Sequence, residues 1–392
     1  MSARQIRRIQ GLTLIELMVA LVIGLMLVLG LVQVFAASRA AYSLSEGLAR
    51  VQENGRFAID FLQRDIRMAG HFGCVNDQAH MRNTPSGLVT TFAAHPGLDF
   101  FTSIQGYEAD DTGPGTELSI PETLLTGSDD YSPALPAEIA AATANRINGS
   151  DILVLRFLAP EGVPVTGIAG TAAAPIFSFD PDRWDVLRSG VDNPGLFGVA
   201  DCLNAVVFQA ASVDSGAGTV TAGSANPINA DPAFTKIFTE GQAILYRAES
   251  VLYYVGLSNG RPSLFRVRFT AAPNGGLTVQ SQELIEGIEN MQLLYGQDRQ
   301  IDPTKAPTGY IDRQLDAEGV EDSVADPADG WRRVGLVQLG LLAVSPERAV
   351  SAQAEAGNRL DALGVQYQTP DDGRYRAVYQ STIALRNRLY GN

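Results

Sequence analysis

Cysteine is scarce, with two residues in a chain of 392, and histidine hardly commoner, with three. Two thiols exclude a disulfide-rich miniprotein and a four-cysteine zinc site, and leave room for one disulfide in an oxidising compartment. Basic residues are outnumbered, 29 Lys and Arg against 43 Asp and Glu, and a net charge of −14 argues against nucleic acid, whose phosphates need cationic contacts. HExxH, CxxC and Walker A patterns are all missing, and Gly216-Ala217-Gly218 lacks the third glycine and the preceding apolar strand of a dinucleotide loop. No catalytic constellation emerges, so the chain reads as a protein that is not an enzyme and holds no cofactor. A hydrophobic share of 45% with 18% charged is too apolar for a disordered tail, and the length allows one large domain or two modest ones.

The apolar content is concentrated at the N-terminus. Arg4, Arg7 and Arg8 precede a run from Leu17 to Val32 without a polar side chain, and the wider block Leu12 to Ala37 is interrupted only by Thr13, Glu16 and Gln33. As a helix this block spans roughly 39 Å, enough to cross a hydrocarbon core of ~30 Å with tilt. Basic residues before the span and only Arg39 just after it keep Met1 in the cytoplasm and send the bulk of the chain across the membrane. A secretory signal peptide is the bland alternative; its apolar region would be shorter and followed directly by a small-x-small site. Glu16 does not fit a plain anchor, since a carboxylate in the apolar run costs a few kcal/mol unless it is neutralised, snorkels or meets a cation. A chain cut between Gly11 and Leu12 would supply that cation as the new amine of Leu12, one helical turn from Glu16 or on a neighbouring copy in a helix bundle.

The string Gly11-Leu12-Thr13-Leu14-Ile15-Glu16-Leu17 behind a short basic leader resembles the class III signal of type IV prepilins and pseudopilins. The resemblance implies cleavage after Gly11 by a prepilin peptidase, N-methylation of Leu12, an assembly role for Glu16 and extraction from the inner membrane into a helical filament. Leu12 stands where the family usually has Phe, and Gln33 where major pilins usually have a helix-kinking proline; the second difference favours a minor subunit. The expected organisation is a cleaved leader at 1–11, a membrane and filament-core helix at 12–37, an amphipathic continuation at 38–70 and a β-rich periplasmic head at 71–392.

Periodicity supports the continuation, because Leu44, Leu48, Val51, Gly55, Ala58, Leu62, Ile66 and Ala69 recur at steps of three and four. Glu46/Arg50, Glu53/Arg56 and Asp60/Arg64 place opposite charges one turn apart. One helix from Leu12 to Ala69 would be about 87 Å long, stop at Gly70 and bend, if anywhere, near Gly24, Gly30 or Gly47. Beyond it, 151–157, 243–247, 251–255 and 264–269 read as strands, with Phe265, Val267 and Phe269 on one face. Segments 334–344 and 375–385 are expected in one sheet, the latter alternating Tyr375, Ala377, Tyr379, Ile383 and Leu385 against Arg374, Arg376, Gln380, Thr382 and Arg386. Stretches 79–148 and 166–204 show no strong period and read as loop insertions, so the fold class is α+β with a long helix on a loop-decorated β head.

Within the head, the block Glu283 to Met291, the run Leu294-Tyr295-Gly296-Gln297-Asp298, the pair Gly330-Trp331 and the close Thr382 to Asn387 resemble the PilW branch of minor pilins, which is similar to J-type pseudopilins of type II secretion. Glu53 to Cys74 belongs to the same resemblance, while the middle of the chain carries none. Met291, Leu294 and Tyr295 read as core residues. Cys74 and Cys202 fall on the periplasmic side and are expected to form a disulfide, the alternative being two buried thiols. His71, His80, His95 and Cys74 are weak zinc candidates, and Asp129, Asp130, Glu318, Glu321, Asp322, Asp326 and Asp329 are weak calcium candidates read as solvated loop surface.

These readings converge on a structural minor pilin that co-assembles with other minor pilins at the pilus tip and primes polymerisation of the major pilin. The implied partners are the prepilin peptidase, other minor pilins, the major pilin, the inner membrane before assembly and, as a further candidate, a tip adhesin. A secretion pseudopilin or a surface ligand-binding tip module are the alternatives. Loss of the leader's three arginines would take the net charge from −14 to −17, leaving a soluble acidic head.

Overall fold

The computed structural model describes residues 13–75, 88–92, 94–223, 228, 238–302, 304–348, 360–385 and 387. The leader, Gly11, Leu12, His80 and Arg386 lie outside these described residues. The protein is α+β, a long N-terminal helix followed by a β-rich head.

Helix α1 runs from Leu14 to Met68 without a break at Gly24, Gly30 or Gly47. At its far end Gly70 adopts φ +74°, a left-handed turn that glycine makes without steric cost, and its N–H donates to Arg156 O at 3.2 Å. Along the second half Gly47, Val51, Gly55, Ala58, Leu62 and Ile66 are buried, while Leu44 and Leu48 are only half-buried. Gly55 marks the closest approach to the head, because a Cβ there would lie 2.4 Å from the Tyr379 ring. Of the three expected helix ion pairs, Glu46–Arg50 closes at 3.0 Å, and Glu53/Arg56 and Asp60/Arg64 form none among the described residues.

The principal strands are β1 (Ile104–Ala109), β2 (Ile152–Leu158), β3 (Leu196–Ala200), β4 (Ala205–Asp214), β5 (Ile244–Ser258), β6 (Arg261–Ala271), β7 (Leu277–Glu286), β8 (Ile288–Asp298), β9 (Ile311–Leu315), β10 (Val334–Arg348) and β11 (Arg374–Ala384). A four-stranded antiparallel sheet has the order β9-β8-β10-β11, with Val337 opposite Ile383 and Leu341 opposite Tyr379, so segments 334–344 and 375–385 do share a sheet. Strand β5 is one 15-residue strand where the sequence suggests two, and it is the hub of a larger sheet, pairing with β3 along its first part and with β2 and β6 along the rest. The chain passes from the larger sheet to the smaller at Gly287, which has φ +85° and accepts from Val344 N at 2.8 Å. Asn54 of α1 stitches this corner by donating to Glu286 O at 2.9 Å.

The stripe of α1 from Val51 to Ala69 packs with Leu153 and Leu155 of β2, Met291 and Tyr295 of β8 and Leu339 and Leu341 of β10 in one core, as the helical period requires. Trp331 joins it, 4.9 Å edge-on from Tyr295. Two further apolar clusters lie within the larger sheet, one around Phe72, Phe100 and Phe269 and one around Phe177, Phe197 and Phe208.

Two sequence expectations need correction. The stretches read as loop insertions contain β1, β3 and several shorter strands. Strands β1 and β3 escape periodicity analysis because they are short and almost wholly buried on both faces, so that no alternation is written into them. Arg376, placed on the polar face of its strand, is buried because its guanidinium is paired with both Glu289 and Asp372.

The two sheets are joined through a buried carboxyl pair that the sequence does not announce. Asp151 accepts from Ala109 N on β1 at 3.1 Å and from Leu293 N on β8 at 2.7 Å, and Glu108 is hydrogen-bonded to it. Burial pushes both carboxyls up, Glu108 the further of the two because the neighbouring Asp151 charge adds to its rise, and the pair shares a proton. A carboxyl raised in the folded state contributes stability that is fully present below its unfolded value and is lost as pH rises through the folded one. Unfolding free energy of the full chain in detergent should therefore fall between pH 5 and pH 9. Glu108→Gln, which donates the same hydrogen bond at every pH, should flatten that slope and be the more stable protein at pH 9 by about 1 to 3 kcal/mol. Parallel pH curves from urea titrations of the two proteins would reject the shared proton.

Candidate functional site

The N-terminal half of α1 is apolar and uncovered. From Thr13 to Arg39 every residue but Gly24 is exposed, including Leu14 at 77% and Phe35 at 71%, and the most apolar 18-residue stretch of the helix is entirely unburied by the rest of the chain. So much aliphatic surface requires lipid or other helices around it.

Glu16 sits at the start of this surface and is engaged locally. Thr13 caps the helix and forms a reciprocal box with Glu16: Thr13 N–H donates to Glu16 Oε2 at 3.0 Å, the Thr13 hydroxyl donates to the same oxygen at 2.8 Å, and Glu16 N–H donates to Thr13 Oγ1 at 3.3 Å. The box satisfies orphan amides at the helix start and holds the carboxylate beside the backbone. Sequence reasoning treated Thr13 only as an interruption of the apolar run. The signal was present, since Thr-x-x-Glu ahead of an apolar stretch is the capping-box pattern.

At the other end of α1 the chain turns through Gly73 to Cys74, which is bonded to Cys202 with the Cα atoms 4.6 Å apart. Cys202 lies in the tight turn between β3 and β4, where Asp201 Oδ1 accepts from Leu203 N at 2.7 Å and Asn204 N at 2.6 Å. The bond thus couples the end of the helix to a strand hairpin in the middle of the chain.

The weak metal candidates do not converge. His71 Nδ1 lies 3.0 Å from Leu158 O, and His95 Nδ1 accepts from Gly97 N at 2.9 Å. Of the acidic residues, Asp129 pairs with Arg146, Glu321 accepts from the Trp331 indole at 2.9 Å, Asp326 caps the short helix Pro327–Arg332, and Asp329 pairs with Arg332 at 2.9 Å. Among the described residues no three metal-ligating side chains form a group.

Two sequence families match. Residues 6–32 match the prokaryotic N-terminal methylation motif, and residues 252–387 match type IV pilus-assembly protein W. The matched regions are those of a type IV pilus-assembly pilin of the PilW type. No significant match is found among curated proteins or solved structures. The longer match begins in β5 and takes in β6 to β11, including the four-stranded sheet against which α1 packs, Gly287 and Trp331. It contains the quoted blocks from Glu283 to Asn387. Glu53 to Cys74 and the sheet built from 88–222 lie outside both matches. The apolar helix and its N-terminal motif make the chain a membrane-anchored protein.

Proposed function

We propose that this chain is a minor pilin that co-assembles with other minor pilins at the filament tip and primes polymerisation of the major pilin. The observation that carries the reading is the uncovered apolar half of α1 with Glu16 at its start: a surface of this length fits lipid before assembly and a bundle of like helices after it. In this reading the peptidase cuts between Gly11 and Leu12, Leu12 becomes the methylated N-terminus, and the head from His71 onward lies in the periplasm and later at the cell surface. Glu16 then exchanges part of its Thr13 box for the Leu12 amine of a neighbouring subunit, a charge pair in low dielectric that fixes the register of one helix against the next. The Cys74–Cys202 bond carries load from the helix into the head by a covalent path.

Replacing Glu16 by Val tests this reading. An apolar residue inserts at least as well, so membrane fractions should hold normal amounts of processed protein while sheared surface pili fall severalfold. Normal piliation together with normal insertion would remove Glu16 from assembly. A chain that purifies from pili still beginning at Met1 would remove the processing step, and immunogold label along the whole filament would remove the tip placement.

A further inference from the structure

Beside the last turns of α1 the helix and the larger sheet part around a cavity of about 620 Å³. It is lined by Arg247 and Glu249 of β5, Arg266 and Arg268 of β6, and Asp60, Arg64, Asp65 and Arg67 of α1. The inner carboxylates are already occupied by cations. Glu249 is paired with Arg247 and lies 3.1 Å from Arg268 Nε, while Asp65 accepts from the Tyr253 hydroxyl at 2.5 Å and lies 3.7 Å from Arg266. Guanidinium remains in excess. Arg64 and Arg67 make no ion pair among the described residues, and the Nε of Arg247, a residue only 5% exposed, is buried without a hydrogen-bond partner. In a chain of net charge −14, five arginines against Asp60, Asp65 and Glu249 leave this one cavity with a local excess of positive charge, a seat for anions.

Size and surroundings narrow the class of anion. The volume is that of a site for several side chains rather than for one inorganic ion. Glu249 and Asp65 in the lining repel a phosphate dianion more strongly than a single carboxylate, whose two oxygens match the fork of an arginine. The lip is aromatic: Phe61 lines the cavity at 39% exposure, and Phe57 lies one turn before it on the same face at 46%. A partner offering carboxylates alone would leave these rings wet.

We propose that this cavity seats the carboxylates of an acidic segment on a neighbouring pilin subunit, whose apolar flank covers Phe57 and Phe61. The inference rests on the reading of the chain as an assembly subunit and gives it a second contact, at the head end of α1 and far from Glu16. One cavity then reads the charge of the neighbour while the membrane half of the helix supplies bulk packing.

Two measurements on the full chain test this. In detergent, a tetrapeptide of three acidic residues around one phenylalanine is titrated against its amide counterpart and against inorganic phosphate. The acidic peptide should bind at least about tenfold tighter than the amide, the value of one charge-assisted contact, and Arg64→Glu with Arg67→Glu should erase the difference. Equal binding of acidic and amide peptides, or phosphate competing as well as the acidic peptide, overturns the proposal. In cells, a photo-crosslinker at Gln63 should join the chain to an acidic segment of another pilin, and the double charge reversal should remove that product without changing membrane insertion. Assembled pili that contain the protein but give no such crosslink overturn the cavity and leave the assembly reading standing; absence of the protein from any pilus or pilin complex overturns the assembly reading itself.

Discussion

Replacing Cys74 and Cys202 by serine should lower the unfolding free energy by about 5 kcal/mol, the largest stability change expected from any pair of side chains in this protein. The bond closes a loop with a sequence separation of 128 residues, and in the chain-entropy model a loop of that length restricts the unfolded chain by about 5 kcal/mol. The effect is local as well. Cys74 follows the end of α1 by a few residues, so the helix exit loses its tie to the β3–β4 turn and the last turn of α1 should exchange its amide hydrogens faster. Denaturant titration followed by the fluorescence of the buried Trp331 gives the free energy, and peptide mapping without reductant gives the link. An unchanged midpoint, or two free thiols in the protein taken from cells, would refute the argument.

Arg376→Ala should cost about 3 to 5 kcal/mol, because it leaves two carboxylates facing each other without their cation. The guanidinium bonds Glu289 at 2.7 and 3.0 Å and Asp372 at 2.8 Å through each of two nitrogens, a double fork that nearly excludes water from both partners. Arg376→Lys should restore little, since an ammonium is a point charge and cannot bridge both carboxylates in their planes. The acid limb of stability reports the same contact. Burial alone would raise the Asp372 carboxyl, yet the bonds from Arg376 and from Arg374 N hold it below its ordinary value. A carboxyl depressed in the folded state contributes stability above its unfolded value of about 3.8 and loses it as pH falls through the folded one. That loss should shrink in Arg376→Ala, so the two proteins converge as the solution is acidified from pH 5 to pH 2. A cost under about 1 kcal/mol with the acid limb intact would show that the pair is not coupled as the geometry indicates.

What was legible from the sequence followed from where a pattern is written into one face. The apolar stripe of α1 shows in the sequence because a helix buries residues three and four apart, and β11 shows because Tyr375, Ala377, Tyr379 and Ile383 on one face pack on the core while Gln380, Thr382 and Ala384 on the other are exposed. Strands β1 and β3 escaped because both of their faces are covered, and Glu117–Ser119 and Gly167–Thr171 because they are short and largely exposed. Among site residues, Glu16 stood out as a charge in an apolar run. Thr13 beside it did not, although the Thr-x-x-Glu spacing carried the information.

The membrane segment is written locally in the chain: three arginines ahead of it, a helix long enough to span a bilayer, and an acid near its start, none of which needs a partner elsewhere. What the charged residues of the head do follows instead from which distant segments the fold brings beside them. Glu108 and Asp151 are 43 positions apart, Arg376 and Glu289 are 87 apart, and Arg64 and Arg268, 204 apart, line one cavity. Whether a carboxylate is solvated, shares a proton or is held by a guanidinium depends on which groups surround it and how much water remains there, and those neighbours are assembled by sheet pairing across long separations that no local pattern encodes.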